Sequence, residues 1–111
     1  MPYSHLSHLE CSRTGEVHDA DVVQGVSRAG APLLARYDLD RVREEVTPGE
    51  IAARPPDLWR YHEVLPVRDP AHVTTLGEGM TPLLPLPSYG ARIGVPGLLM
   101  KDEGLVPTGA F

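Results

Sequence analysis

Apolar residues fall in short groups along this chain, and the spacing inside each group predicts an element. Leu6 and Leu9, then Val17, Val22-Val23, and Leu33-Leu34 with Tyr37 are separated by two glycine turns, at Thr14-Gly15 and Ala29-Gly30. Short extended segments joined by glycine turns predict a small β-hairpin unit, with strands near Leu6–Cys11 and Pro32–Tyr37. Asp19 can cap a single helical turn over residues 19–23.

The pattern then changes period. Residues 39, 42 and 46 are apolar, the spacing of one helix face, so residues 38–46 read as two helical turns or a loop. Thr47-Pro-Gly-Glu50 carries a stronger signal: a Thr cap, Pro in the first helical position, and Glu three residues after the cap. Pro55-Pro56 ends that helix. Asp57 can cap a further one over residues 58–65, with Trp59 and Tyr61 as packing anchors, before Pro66 closes it. Residues 67–72 read as a loop.

From Thr74 a glycine loop runs into an extended apolar segment, which Pro82 and Pro85 confine to a sheet edge. Ser88 can cap a short helix, with Tyr89 and Ile93 on its buried side and Gly94 closing it. After the Pro96-Gly97 turn, Leu98-Leu99-Met100 has the composition of a strand buried between layers. Two strands joined by a helix suggest an α/β unit. Pro107 and Thr108 are helix-start residues, and three residues follow Thr108. A helix needs more than that to pass its nucleation barrier, so the chain reads as the front of something longer.

Composition narrows the class. The chain has 111 residues, of which 41% are hydrophobic and 23% charged, ordinary values for a soluble globular protein. Eleven Gly and 12 Pro make it rich in loops. The net charge is −5 and the arginines are scattered, which argues against a nucleic-acid surface. No apolar run approaches the length of a membrane helix, and no apolar signal core opens the chain. A single cysteine, Cys11, excludes an internal disulfide. These absences leave the cytoplasm as the expected compartment.

Four places could carry chemistry. His5, His8 and Cys11 recur at intervals of three, a metal-like spacing, but structural zinc takes four ligands in two separated pairs. The second turn, Val26–Gly30, offers neither Cys nor His, so zinc is not expected. Gly77-Glu-Gly79 could approach a phosphate, but it lacks the longer glycine pattern and the lysine of nucleotide loops; a tight turn is the better reading. Lys101-Asp102-Glu103 could supply acid–base groups, yet neighbours on a strand face opposite ways, so a solvated strand end is expected. His62, beside Trp59, reads as a packing residue.

Three blocks together carry a resemblance. Leu58-Trp-Arg-Tyr-His-Glu-Val-Leu-Pro66, Leu76-Gly-Glu-Gly-Met-Thr-Pro-Leu83 and Met100-Lys-Asp-Glu-Gly-Leu-Val-Pro-Thr-Gly-Ala-Phe111 resemble the N-terminal third of the threonine synthase family, whose members are fold-type-II pyridoxal-phosphate enzymes. The resemblance covers nearly the whole chain, and the last block is its most specific part. In that family the loop matched by Pro107, Thr108, Gly109, Ala110 and Phe111 is followed at once by the lysine that forms the Schiff base. Ala110 stands where Ser is commoner, and Val106 where Asn is common. The N-terminal unit resembles a zinc ribbon whose knuckle positions are here Cys11, Thr14, Val26 and Ala29. One ligand of four remains, which implies a ribbon without metal, held by Leu9, Val22, Leu33 and Leu34.

The resemblance therefore implies an incomplete α/β chain in three parts. Residues 1–38 would be the ribbon-like unit, 39–72 a connecting arm with short helices, and 73–111 the start of the catalytic domain. It implies pyridoxal 5'-phosphate as the full-length enzyme's cofactor, with none bound by this chain alone. O-phospho-L-homoserine would be the substrate, with L-threonine and phosphate as products. A full-length homodimer, without nucleic-acid or membrane partners, completes the expectation. A threonine dehydratase, a cysteate-synthase-like enzyme, and a non-catalytic module that binds a partner are the alternatives.

Overall fold

A computed structural model describes residues 1–109; Ala110 and Phe111 lie outside the described residues. The chain divides into two compact units. Residues 1–55 with 59–73 form the first, and residues 56–58 with those from Thr74 onward form the second.

The first unit is built on an antiparallel sheet of order β2-β1-β3, in which β1 is Leu6–Cys11, β2 is Val17–His18 and β3 is Leu33–Tyr37. Gly15, at φ +76°, makes the turn that folds β2 onto β1, and its N–H donates to the Cys11 carbonyl at 2.9 Å. A left-handed residue at that place favours glycine. The two strands anticipated from the apolar pattern are present, the second beginning one residue later at Leu33. Residues 19–23 make a turn instead of a helix, with the Asp21 N–H donating to the Asp19 carboxylate at 2.8 Å.

The residues that hold this sheet differ from those expected. Leu6, Cys11 and Ala31 are the buried apolar residues among those described. Leu9 and Leu33 are only half-buried, Leu34 is 41% exposed and Val22 56% exposed. Strand alternation explains Leu34: Leu33, Ala35 and Tyr37 turn inward, so Leu34 and Arg36 turn out. Val22 belongs to no strand and has no face to bury.

Three short helical segments follow. Helix α1 spans Leu39–Glu45, capped by the Asp38 carboxylate, which accepts from the Arg41 N–H. Helix α2 spans Pro48–Ala53 and carries the full capping box: Thr47 Oγ1 accepts from the Glu50 N–H, and the Glu50 carboxylate accepts from the Thr47 N–H. The anticipated helix over residues 58–65 is a 3-10 segment, Leu58–Val64, interrupted at Tyr61 (φ −105°, ψ 29°). The break at Tyr61 divides the segment into two shorter turns, and Pro56 and Pro66 bound it on either side. Tyr61 is 46% exposed and so does not anchor the segment. Within the stretch expected as a loop, Pro70–His72 forms one 3-10 turn capped by Asp69.

In the second unit β4 (Leu83–Pro85) and β5 (Leu99–Lys101) pair antiparallel, with Leu83 opposite Lys101 and Pro85 opposite Leu99. Between them lies α3, Pro87–Arg92, about 9 Å long at six residues. The loop after it turns back through Gly94, at φ +74°, and delivers β5 alongside β4 in the reverse direction. Ser88 is not the cap of α3; Leu86 occupies that place without a side-chain hydrogen bond. Tyr89 and Ile93 are half-exposed, and the buried residue of the helix is Gly90. Leu99 and Met100 are also largely exposed, against the expectation of a strand covered on both faces.

Gly90 is held by close packing. A Cβ there would lie 2.3 Å from the Val95 carbonyl oxygen, which is also tied to this turn through the Val95 N–H donating to the Gly90 carbonyl. Gly90→Ala is expected to destabilise the unit by roughly 1–3 kcal/mol, the range for overpacking. Gly97→Ala, where a Cβ meets nothing within 4 Å, should cost far less. Denaturant midpoints of the two variants, with amide exchange at Val95, measure the difference.

Candidate functional site

The resemblance directs attention to the segment from Thr81 to Gly109. Strand pairing places Lys101 beside the start of β4, where its Nζ donates to the Thr81 carbonyl. Glu103 Oε1 accepts from the Thr81 hydroxyl at 2.5 Å and stands 4.0 Å from Lys101 Nζ. Thr81, Lys101 and Glu103 thus tie the two strand ends together on the surface. Asp102 turns elsewhere: its N–H donates to the Pro82 carbonyl, and its carboxylate caps the 3-10 turn Glu103–Leu105 through the Gly104 N–H at 3.0 Å. Asp102 and Glu103 therefore have separate structural partners; both lie past the end of β5, Asp102 as the cap and Glu103 as the first residue of the 3-10 turn, so strand alternation is not what separates them.

Beyond that turn, Val106, Pro107, Thr108 and Gly109 form a β-turn closed by the Gly109 N–H on the Val106 carbonyl at 3.0 Å. Pro in the second place and Gly in the fourth suit such a turn, and Gly109 has φ +70°. The helix start anticipated at Pro107-Thr108 is a turn instead. The rest of the anticipated lysine-delivery loop, Ala110 and Phe111, lies outside the described residues.

The Gly77-Glu-Gly79 loop is closed on itself. Glu78 Oε2 accepts from the Leu76 N–H at 2.6 Å and from the Thr75 hydroxyl at 2.8 Å, and the Gly77 N–H donates to Thr75 Oγ1 at 3.0 Å. The Glu78 N–H, the Thr75 hydroxyl and the Leu76 N–H together hold its carboxyl below the ordinary value. A carboxylate already occupies the donors that a phosphate would need. Gly79, at φ +126°, lets the loop pass against the backbone of Asp57 and Leu58, with a Cβ there meeting their atoms at 3.0 Å.

A second concavity lies within the first unit. It is a cavity of about 530 Å³ bordered by Tyr3, His5, Glu45, Arg54, His62 and Glu63, among others. Glu63 is 5% exposed and meets Arg54 through both oxygens, at 2.6 and 2.8 Å. The Arg54 guanidinium is the main reason that the Glu63 carboxyl sits below its ordinary value. His62 stacks on Tyr3 with ring centroids 4.0 Å apart, so it packs as anticipated.

His5, His8 and Cys11 do not converge. His5 is buried against Glu45, His8 lies 3.9 Å from Glu10, and Cys11 is buried with its thiol donating to the Ser27 hydroxyl at 3.0 Å. Among the described residues no group of three or more His, Cys, Asp and Glu side chains could hold a metal ion. Periodicity could not reveal the Arg54–Glu63 and His5–Glu45 pairs, which join residues 9 and 40 positions apart.

Comparison with known proteins finds threonine synthases similar to this chain. The chain is 33% identical to the threonine synthase of Methanocaldococcus jannaschii over 101 residues, 91% of this chain and 25% of the relative. It is 32% identical to that of Methanosarcina acetivorans over 108 residues, 96% of this chain and 25% of the relative. A shorter match, 48% identical over 59 residues, links 48% of the chain to 15% of the threonine synthase of Synechocystis sp.. The chain thus spans about a quarter of the length of the first two relatives. No family model and no solved structure matches it.

The Arg54–Glu63 pair makes the first unit acid-sensitive. A carboxyl lowered in the folded state contributes stability that is present above its unfolded value and is lost as pH falls through the folded one. Acid titration should therefore weaken the unit only below the ordinary glutamate range, near 4.5. Glu63→Gln should remove that part of the pH dependence and cost roughly 2 kcal/mol. That figure is below the usual 3–5 for a broken buried pair, because Arg54 keeps about a quarter of its side chain in water. Urea denaturation at several pH values measures both effects.

Proposed function

We propose that this chain is the N-terminal portion of a threonine synthase that converts O-phospho-L-homoserine and water into L-threonine and phosphate in the cytoplasm. The observation that carries the proposal is similarity to threonine synthases across 91% and 96% of the chain in two separate relatives. The exposed apolar side chains of the β4–β5 ladder support it. Leu83 is 60% exposed and Leu99 54% exposed, and a two-stranded ladder is marginal without further strands or covering helices.

Pyridoxal phosphate, when bound, supplies an electron sink that makes protons beside an amino-acid carbon removable. The described residues do not by themselves fit that cofactor. Lys101 is the chain's one lysine, and its Nζ is engaged by the Thr81 carbonyl and lies near Glu103. The glycine loop's donors at Leu76 and Gly77 are engaged as well. In this reading the chain's own contribution is scaffolding. The Thr81–Lys101–Glu103 contacts fix where β5 ends, the Asp102 cap sets the following turn, and the turn through Pro107 and Gly109 directs the backbone onward.

Two measurements test the proposal. Purified chain mixed with pyridoxal phosphate should show no persistent imine absorbance beyond that of a Lys101→Arg control; a stable band that depends on Lys101 overturns the assignment of Lys101 to scaffolding. A chimera in which this chain replaces the matching quarter of the M. jannaschii enzyme should release phosphate from O-phospho-L-homoserine and form threonine. A folded, cofactor-loaded chimera that turns over phosphoserine or dehydrates threonine instead would overturn the functional reading.

A further inference from the structure

The β4–β5 ladder has two outer edges, and its hydrogen-bond parity makes them unequal. The register sets Leu83 opposite Lys101, Leu84 opposite Met100 and Pro85 opposite Leu99. Just outside it, the Leu86 N–H donates to the Leu98 carbonyl and the Asp102 N–H to the Pro82 carbonyl, both at 3.0 Å. Bonded pairs in an antiparallel ladder recur at every second residue. The bonded pairs are therefore 82 with 102, 84 with 100 and 86 with 98. Residues 83 and 85 on β4, and 99 and 101 on β5, turn their main-chain groups outward.

Residue type then decides what each edge offers. Pro85 has no N–H, which leaves the outer edge of β4 with one donor, at Leu83. Proline in a strand belongs on an edge that pairs no further. The outer edge of β5 keeps two donors and two acceptors, the N–H and C=O groups of Leu99 and Lys101. None of the four has a hydrogen-bond partner among the described residues. A lysine commonly guards an edge with its charge, but the Lys101 ammonium is held by the Thr81 carbonyl on the β4 side, near Glu103.

Side chains add a second condition. Directly opposed residues share a face, so Leu83, Pro85, Leu99 and Lys101 lie on one side of the ladder and Leu84 and Met100 on the other. Leu99 is 54% exposed and Met100 42% exposed, one on each face. A segment laid along β5 extends both apolar faces at once. The segment that suits it is continuously apolar, the composition of a strand buried on both sides.

We propose that the outer edge of β5 is a strand-addition site, occupied by an extended, continuously apolar segment from the three quarters of a threonine synthase that this chain does not span. The choice of occupant rests on the functional reading; the choice of β5 over β4 rests on the ladder alone. The chain covers 25% of each of the two relatives that match most of its length. A two-stranded ladder needs a further strand or a covering layer to be stable. One strand added at β5 supplies it and pairs the Leu99 and Lys101 groups, as buried backbone requires.

Amide exchange at single-residue resolution tests the site, on the 111-residue chain and on the chimera with the M. jannaschii enzyme. The Leu99 and Lys101 N–H groups should exchange near the free rate in the chain by itself. In the chimera both should slow by roughly a hundredfold or more, as amides paired inside a sheet do, while Leu83 should change far less. An active chimera in which Leu99 and Lys101 still exchange freely would overturn this inference and leave the functional reading intact. Slowing at Leu83 in place of Leu99 and Lys101 would overturn it as well. Protection of both amides in the chain by itself, rising with chain concentration, would give the edge to a second copy and overturn the occupant proposed. A chimera that protects both amides yet forms no threonine would support the added strand and count against the functional reading.

Discussion

The main chain of His5 is the tie on which the first unit depends. One N–H and one carbonyl at the entry to β1 hold the segment after α2 and the cap of α1 to the sheet. The neighbouring side chains reinforce the same junction. Ser4 Oγ donates to the Leu65 carbonyl and accepts from the Leu6 N–H, and Arg68 Nη1 donates to the Leu6 carbonyl. Buried backbone groups need partners, and here distant segments supply them. Buried apolar area is scarce, with Leu6, Cys11 and Ala31 its fully buried members among the described residues. Ser4, His5, Ser27 and Glu63 are buried beside them. A polar interior of this kind holds its geometry through matched donors and acceptors, and it is vulnerable wherever one partner is removed.

The second unit follows a different physical rule. Its ladder is short and its apolar side chains face water on both strands, so local hydrogen bonding sets its form. Three of its junctions are stitched by a nearby side chain: Glu78 closes the glycine loop, Asp102 caps the turn after β5, and Thr81 meets Glu103 across the strand ends. These contacts shape the approach to the Pro107–Gly109 turn without needing a large core. They are local surface contacts, and Thr81, Lys101 and Glu103 hold one another at the strand ends. This fits a chain that spans a quarter of its threonine synthase relatives.

Much was legible in the residues alone, wherever the controlling interaction is local. The Thr47–Glu50 capping box, the glycine turn at Gly15, strand β1 and the edge character of β4 all follow from neighbours within a few positions. So does the likeness to threonine synthases, because a motif is a matter of order and spacing. Errors arose where burial was inferred from apolar character. Leu34, Val22, Tyr89, Ile93, Leu99 and Met100 are apolar yet substantially exposed, because hydrophobicity gives a preference for burial and not the layer that would provide it.

What the sequence determined by itself is the set of short elements, their stops at proline and glycine, and the absence of a four-ligand metal pattern. Tertiary structure alone decided the antiparallel return of β5, the separate fates of His5, His8 and Cys11, and the pairing of Arg54 with Glu63 and of His5 with Glu45. The physical reason is range. Caps and turns are settled by contacts a few residues apart, which periodicity and residue type encode directly. A buried charge finds its partner only after the backbone has brought remote segments together, and nothing in the local pattern around His5 or Glu63 names that partner.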